Sequence, residues 1–347
     1  VKSTRDLGLR KARGKMTVTI GWRVMILLSQ AVLAMTTFGQ VQMQEKVNYG
    51  GWANCVRLTN GKVELIATTD VGPRIIRYGF VGGQNLLKEF ADQMGKTGGS
   101  EWRSFGGHRL WHAPEASPRT YAPDNAPVKY SWDGKTLKLT QPVEATTGIA
   151  KEIEITLDPS DNHVALIHRL TNKNQWDVEL APWSLTVMAA GGRAIFPQEP
   201  FRPHPEYLLP VRPMVLWGYT DMKDPRWTWG TRYIQLRQDS HATTKQKIGL
   251  MNTLGWAAYH LNGDLFLKRF RYDAKASYPD FGCNNESYTD PDMLEIETLG
   301  PLAKLASGRF VEHTEHWFLY RVSVDESETA IDKSLLPLVQ QTAVYNR

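Results

Sequence analysis

The sequence predicts an all-β fold, a sandwich or barrel of antiparallel strands, from three observations. From Val47 onward, short runs of alternating apolar residues recur, split by Gly, Asn, Asp and Pro. Only Ala330 to Gln341 has helical spacing, and Pro337 interrupts it. No internal repeat and no break in composition divides the chain. Strands with one apolar face need a second sheet to cover that face, so many short strands with few helices imply a sandwich or barrel.

Taken in order, Val56-Arg57-Leu58, Asn60-Gly61 and Val63 to Ala67 read as a hairpin. Asp70 to Pro73 is a turn that feeds a strand through Tyr78, and Leu137 to Leu139 forms another. Ile149 to Leu157 alternates along its whole length, followed by strands from His163 to Leu170 and Val178 to Met188. Ile195 to Pro197 leads into a Pro- and Trp-rich connection that lasts to Trp229 and suits a functional loop better than a flexible linker. Further strands are Tyr233 to Leu236, Lys247 to Met251, Trp256 to Tyr259, Leu265 to Phe270, Leu294 to Glu297 and His316 to Val322.

The 347-residue chain carries a formal charge of +5, but its first fifteen residues alone hold six Lys/Arg and one Asp. From Gln40 onward, 34 basic residues face 35 acidic ones, which gives no argument for nucleic-acid binding. Met16 to Gly39 has a short polar start, Arg23, an apolar stretch and Thr37-Phe38-Gly39, a secretory signal pattern with cleavage before Gln40. Its apolar core is short for a bilayer span, so no stable membrane span is expected after processing. Residues 1–15 then lie upstream of a start at Met16. The expected division is a leader and signal peptide at 1–40, a β domain at 41–325 and a short C-terminal extension at 326–347. The expected location is periplasmic or secreted, where Cys55 and Cys283 either pair or remain two buried thiols.

Two dense stretches carry candidate chemistry. Tyr278 to Pro301 is rich in Asp, Asn, Glu and Tyr, and alternation places Glu295 and Glu297 on one strand face, with Leu294 and Ile296 on the other. Trp102 to Glu115 reads WRSFGGHRLWHAPE, in which Gly106-Gly107 is followed by His108, Arg109, Trp111 and His112. A flat aromatic, a forked cation and imidazoles suit a pyranose ring, through stacking, bidentate hydrogen bonding and proton transfer. Trp217 to Gln238 adds three Trp, two Asp and Arg226, and reads either as sugar contacts or as a loop plugged by its own aromatics. His168, alone on an apolar strand, reads as structural before it reads as functional. His108 and His112 are four apart, but Gly106-Gly107 and Pro114 argue against a helix there, so no metal site is expected. No phosphate-binding Gly loop, nucleophile elbow or dinucleotide fingerprint occurs, and no cofactor is expected.

Thr69-Asp70-Val71-Gly72-Pro73-Arg74-Ile75-Ile76, then Asn85-Leu86-Leu87, Leu294 to Pro301, Ser307-Gly308-Arg309 and the run through Tyr320 resemble the galactose-mutarotase-like (aldose 1-epimerase) superfamily in that order. The blocks GGHRLWHAPE, ELAPWS and PDFG-N-E are similar to a bacterial branch of it. The resemblance implies a large antiparallel β-sandwich, the mutarotase supersandwich. It also implies a general base in Ile296-Glu297-Thr298, at Glu297, and a shifted register nominates Glu295 instead. Glu179 to Leu185 stands where the superfamily carries its general-acid His, with Pro182 or Trp183 at that place. His112 or His108, and His168 third, are then the substitute acids. Arg74 and Arg109 would hold hydroxyls or a uronate, Trp111 and Trp183 would form stacking walls, and Asp280, Asn284 and Glu286 would be rim contacts from the preceding loop. The implied function is an extracytoplasmic aldose 1-epimerase-like sugar isomerase with a sugar or oligosaccharide partner. A polysaccharide lyase or glycoside hydrolase on the same fold, with Tyr278 or His112 beside Arg109 in the lyase case, and a non-catalytic glycan-binding protein both stay open.

Overall fold

Two antiparallel sheets lie face to face in the computed structural model, which describes residues 39–346. The predicted leader lies outside the described residues except for Gly39 and Gln40. In spatial order the first sheet runs β1 (Gln42–Tyr49), β2 (Trp52–Thr59), β3 (Val63–Thr68), β4 (Arg74–Phe80), β5 (His108–Ala113), β10 (Val178–Met188), β19 (Leu294–Leu299), β18 (Asn285–Thr289), β15 (Gln246–Leu250) and β12 (Met214–Leu216). A short β20 (Ala303–Leu305) pairs with the start of β10. The second sheet runs β13 (Trp227–Trp229), β14 (Tyr233–Arg237), β11 (Arg193–Pro197), β16 (Trp256–Leu261), β17 (Asp264–Phe270), β21 (Phe310–Arg321), β9 (His163–Asn172), β8 (Ile149–Leu157), β7 (Thr136–Thr140) and β6 (Lys129–Trp132). The sandwich expected from the sequence is therefore present.

The main core lies between the sheets. It joins Leu110, Leu294 and Ile296 of the first sheet to Ile153, Leu166, Phe266 and Trp317 of the second. Leu294 and Ile296 are the apolar half of the β19 alternation. Burying each contributes roughly 1.5–3 kcal/mol, and that anchors the opposite half of β19, Glu295 and Glu297, on the outer face. The β2–β3 hairpin turns where predicted: Asn60 Oδ1 accepts the backbone N–H of Lys62 at 3.0 Å and of Val63 at 3.1 Å, and Gly61 takes φ 85°.

At the C-terminus, Ser327 caps a helix at Glu328–Ser334 and a second runs Leu336–Gln341, so the break falls beside Pro337 as expected. Ile331, Leu335 and Val339 bury against Trp256, Leu267 and Phe318 on the outer face of the second sheet. Cys55 and Cys283 are both buried free thiols. Among the described residues, no helix is long and apolar enough to cross a membrane.

Two strands that the alternation did not announce prove decisive. His108–Ala113 is a buried strand, and polar side chains on both of its faces hide its period. Asn285–Thr289 is likewise a strand rather than a loop, since NNESYT has no apolar alternation to mark it.

Candidate functional site

β5, β10, β19, β18 and β15 stand side by side in mid-sheet, and residues paired directly across them share a face. One row runs Arg109, Leu185, Glu297, Glu286 and Gly249, and flanking rows hold Trp111 with Trp183, and Glu295, Tyr288 and Lys247. This face floors a cleft of about 550 Å³, walled further by Trp102, Tyr121, Trp217 and Tyr219. That volume falls within the range of small-molecule sites, about 300–1,000 Å³.

The aromatic walls are fixed by the protein's own cations. The Arg109 guanidinium lies 4.3 Å from the Trp111 ring centre and 5.1 Å from that of Trp102. Lys247 Nζ lies 4.9 Å from Trp183 and 4.6 Å from Trp217. Each contact adds about 0.5–2 kcal/mol of attraction to the ring face. Trp111 and Trp183 meet edge to face with centroids 5.4 Å apart.

Three carboxyls face these two cations. Glu297 Oε2 accepts the Trp183 indole N–H at 2.8 Å and lies 3.5 Å from Lys247 Nζ, while its buried Oε1 has no partner. Glu295 Oε1 lies 3.5 Å from Arg109 Nη2. Glu286 Oε2 lies 2.9 Å from Lys247 Nζ, a contact whose direction makes no hydrogen bond. With two cations among three buried carboxyls, charge balance keeps at least one proton on the acids.

Burial raises all three carboxyls above the usual range. Glu295 reaches about 8, pushed by burial and then by the Glu297 charge against the pull of Arg109. Glu297 is raised by burial, with Lys247 and the Trp183 N–H opposing. Glu286 is raised well above the usual range, again by burial first. Burial works against the Lys247 ammonium, but Glu297 and Glu286 outweigh it and hold it well above the ordinary lysine range. The acids thus sit in unequal environments, which is the condition for separate acid and base roles.

Of the residues nominated from the sequence, Glu297, Arg109, Trp111 and Trp183 line the cleft together, and so does Glu295. Glu286 is on β18, buried beside Lys247 rather than on a rim loop. Arg74 is buried beneath the cleft, donating to the Ser104 carbonyl at 2.9 Å and the Gly106 carbonyl at 2.5 Å and pairing with Asp124 at 2.7 Å, so it holds the loop before β5. Asn284 is buried against Asn252, accepting its N–H at 2.7 Å and donating to its carbonyl at 3.0 Å. Asp280 lies in a tight turn at φ 49° and is not among the residues lining the cleft.

His108 and His112 do not reach the cleft, because β5 alternates and the residues that face it are Arg109 and Trp111. His112 is buried between Arg119, whose Nη1 is 3.0 Å from its Nδ1, and Glu144, 3.5 Å from its Nε2. His108 points between the sheets, with Nδ1 2.9 Å from Thr186 Oγ1 and Nε2 2.7 Å from His168 Nε2. One nitrogen of each and a Glu315 oxygen all lie within 4.8 Å of one another, a donor set with the composition of a metal site. Lys268 Nζ lies 2.9 Å from Glu315 Oε1 and supplies the positive charge there itself.

Reading the sequence alone passed over Lys247, Tyr219 and Tyr288. Lys247 follows Gln246 at the start of a short strand and shows no signal until Glu286 and Glu297 stand beside it. Of the aromatic stretch Trp217 to Gln238, only the start reaches the cleft, since Asp224 and Arg226 pair with each other and Trp227 stacks on Trp229.

No family model matches the chain, and no curated protein matches it in sequence. Solved structures do. A galactose mutarotase-like protein from Lactobacillus casei superposes with a TM-score of 0.51 at 10% identity, over 77% of this chain and all of the other (100%). The mutarotase candidate YeaD from Salmonella typhimurium superposes with a TM-score of 0.51 at 10% identity, over 85% and 99% of the two chains. A TPR-domain containing protein from Parabacteroides distasonis gives 0.53 at 14% identity over 78% of this chain, which spans about half of that longer protein (48%). The protein has the galactose-mutarotase-like β-sandwich fold, with an aromatic cleft whose floor carries Glu295 and Glu297.

Proposed function

We propose that the cleft binds a sugar and opens its ring in an aldose 1-epimerase-like isomerisation, with Glu297 as general base and Glu295 as general acid. One observation carries the reading: two carboxyls from a single strand face reach one aromatic-walled cleft in different charge environments. The fold's likeness to galactose mutarotase-like proteins supports it. Glu297 Oε1, which has no other partner, accepts the proton of the anomeric hydroxyl. Its electron pair forms the C1 carbonyl as the C1–O5 bond breaks, and Glu295 gives its proton to O5. Rotation about C1–C2 and the reverse transfers close the other anomer and restore both acids. The Trp rings offer faces for the C–H side of the ring.

Polarimetry of freshly dissolved aldoses tests it. Glu297→Gln and Glu295→Gln should each lose the accelerated approach to anomeric equilibrium, and a fully active Glu297→Gln protein ends the assignment. The uronate-lyase reading has Arg109 and Lys247 in its favour as cations for a carboxylate. Both already face carboxyls of the protein, which ranks it second. Ultraviolet absorbance of an unsaturated product from a uronate polymer would reverse that ranking. The leader pattern of 1–40 supports action outside the cytoplasm.

A further inference from the structure

Glu286 and Glu297 face each other directly across β18 and β19, and both are buried. Like charges directly opposed weaken strand pairing, and a buried carboxylate without a partner is costly. One ammonium serves both, since Lys247 Nζ lies 2.9 Å from Glu286 Oε2 and 3.5 Å from Glu297 Oε2. β15 delivers it across the row because Gly249, paired directly with Glu286, has no side chain. A Cβ at Gly249 would meet Cys283 Sγ at 2.5 Å and the Trp217 ring at 3.3 Å, so this end of the row is closed by packing.

One cation does not neutralise two buried anions, so the pair keeps a proton. Trp183 breaks the symmetry: its N–H reaches Glu297 and not Glu286, and a donor favours the ionised form of the group it reaches. We propose that Glu286 keeps the proton while Lys247 holds Glu297 as the carboxylate, making Lys247 a positioning residue for the base and Glu286 its neutral clamp. Both donors meet Glu297 at Oε2, which leaves Oε1 as the accepting atom. The other charged or titratable groups around Glu297 are Glu295 on its own strand, Arg109 on β5, Glu115 just beyond β5, Tyr219 before β15 and, from the inter-sheet side, Lys268 on β17. Of these Arg109 and Lys268 are cations, and each has a nearer carboxyl of its own, Glu295 for Arg109 and Glu315 for Lys268. The strong upward displacement of Glu286, caused by burial first, agrees with the proton resting there.

The inference rests on Glu297 being the base, and its test is independent of turnover. Carboxyl-carbon NMR of protein labelled at glutamate follows each titration, with the Glu297 signal identified by its loss in Glu297→Gln. Lys247→Met should move the Glu297 midpoint up by about 1–2 pH units, as expected for losing a cation within 4 Å. Lys247→Arg, which keeps the charge, should restore it close to the wild-type value. In a Glu295→Gln background, which takes away the Glu295 titration near 8, Glu286→Gln should remove the later, alkaline step of the pair and leave Glu297 ionising in a single step. An unmoved midpoint in Lys247→Met, an equal shift in Lys247→Arg, or a persistent second step in Glu286→Gln overturns the proposal. If Lys247→Met does not fold, the nearly isosteric Glu286→Gln decides alone. Undiminished anomerisation by Glu297→Gln would end the catalytic reading and leave the titration result standing, so the two failures are told apart.

Discussion

The same strands, β5, β10 and β19, carry a polar cluster on each face, and the two clusters are built on opposite terms. Between the sheets lie His108, Thr186, Ser184, Thr298, His168, His313, Lys268 and Glu315, all buried. Glu315 Oε1 accepts from Lys268 at 2.9 Å, from Ser184 at 2.5 Å and from Thr298, and its Oε2 accepts the Trp317 indole N–H at 2.8 Å. His168 Nδ1 lies 3.0 Å from the His313 carbonyl, and His313 Nε2 lies 2.7 Å from Thr298 Oγ1. No fully buried side-chain polar atom of that cluster lacks a partner, whereas at the cleft floor and just behind it Glu297 Oε1, Arg109 Nε and both Glu286 oxygens lack hydrogen bonds. A saturated buried network holds two sheets together, and an unsaturated one has bonding capacity held for something else. The imidazoles that look most catalytic in the sequence belong to the saturated side.

That contrast can be broken by substitution, and the largest effect is expected at Glu297. Glu297→Gln should cut anomerisation roughly 10²–10⁴-fold, the usual share of a positioned general base, while the melting curve stays close to wild type. On the other face, Lys268→Met strands the Glu315 charge and should cost roughly 3–5 kcal/mol, read by urea unfolding, with sugar affinity of the folded protein unchanged. A stable Lys268→Met protein that has lost activity would make the inter-sheet cluster functional and dissolve the contrast.

The next prediction is smaller and is read at the base itself. Trp183→Phe keeps a ring on the wall but removes the N–H to Glu297, a charge-assisted hydrogen bond of about 1.5–3 kcal/mol. The acid limb of the kcat/KM profile should move to higher pH, because Glu297 then ionises less readily. A limb that stays in place would remove Trp183 from the charge bookkeeping of the pair.

The pH dependence of stability should differ in sign between the two clusters. Burial lowers the His108, His168 and His313 imidazoles below their ordinary 6.5, His313 to about 3. Their stabilisation is present above the unfolded pKa and is lost as pH falls through the folded one, since the unfolded chain then binds more protons. Glu295 is raised from its ordinary 4.5 to about 8, so its contribution is complete below 4.5 and is lost as pH rises to about 8. Glu295→Gln should therefore stabilise the protein relative to wild type on the alkaline side, with little change at acid pH, in melts taken across that range. An equal gain at pH 4 and pH 9, roughly the ends of the window, would remove Glu295 as its source. The least consequence for the fold is expected from the leader. Protein recovered from the periplasm or medium should begin near Gln40 on N-terminal sequencing, and a retained leader would speak against processing there.

Much of the molecule is legible without coordinates wherever one strand face is apolar and the other is not. Ile149 to Leu157, the Asn60-Gly61 hairpin and Leu294 to Glu297 show their period directly, and the last places Glu295 and Glu297 together on the right face. β5 and β18 resist the same reading. HRLWHA buries polar side chains on both sides, and NESYT has no apolar half, so alternation leaves no trace in hydropathy. Without a strand period in β5, nothing separated His108 and His112 from Arg109 and Trp111 as candidates for the cleft, and reading β18 as a loop placed Glu286 on a rim.

By itself, the sequence determined the all-β class, most of the strands, the shared face of Glu295 and Glu297, and the concentration of Trp and Arg beside them. These are local properties, carried by residues within a few positions of each other. Only the tertiary structure decided which imidazoles face the interior, that Lys247 stands between two acids 39 and 50 residues further along the chain, and which buried atoms remain unpartnered. Strand order and register set those relations by bringing distant segments side by side, and no period within a single strand encodes its neighbours.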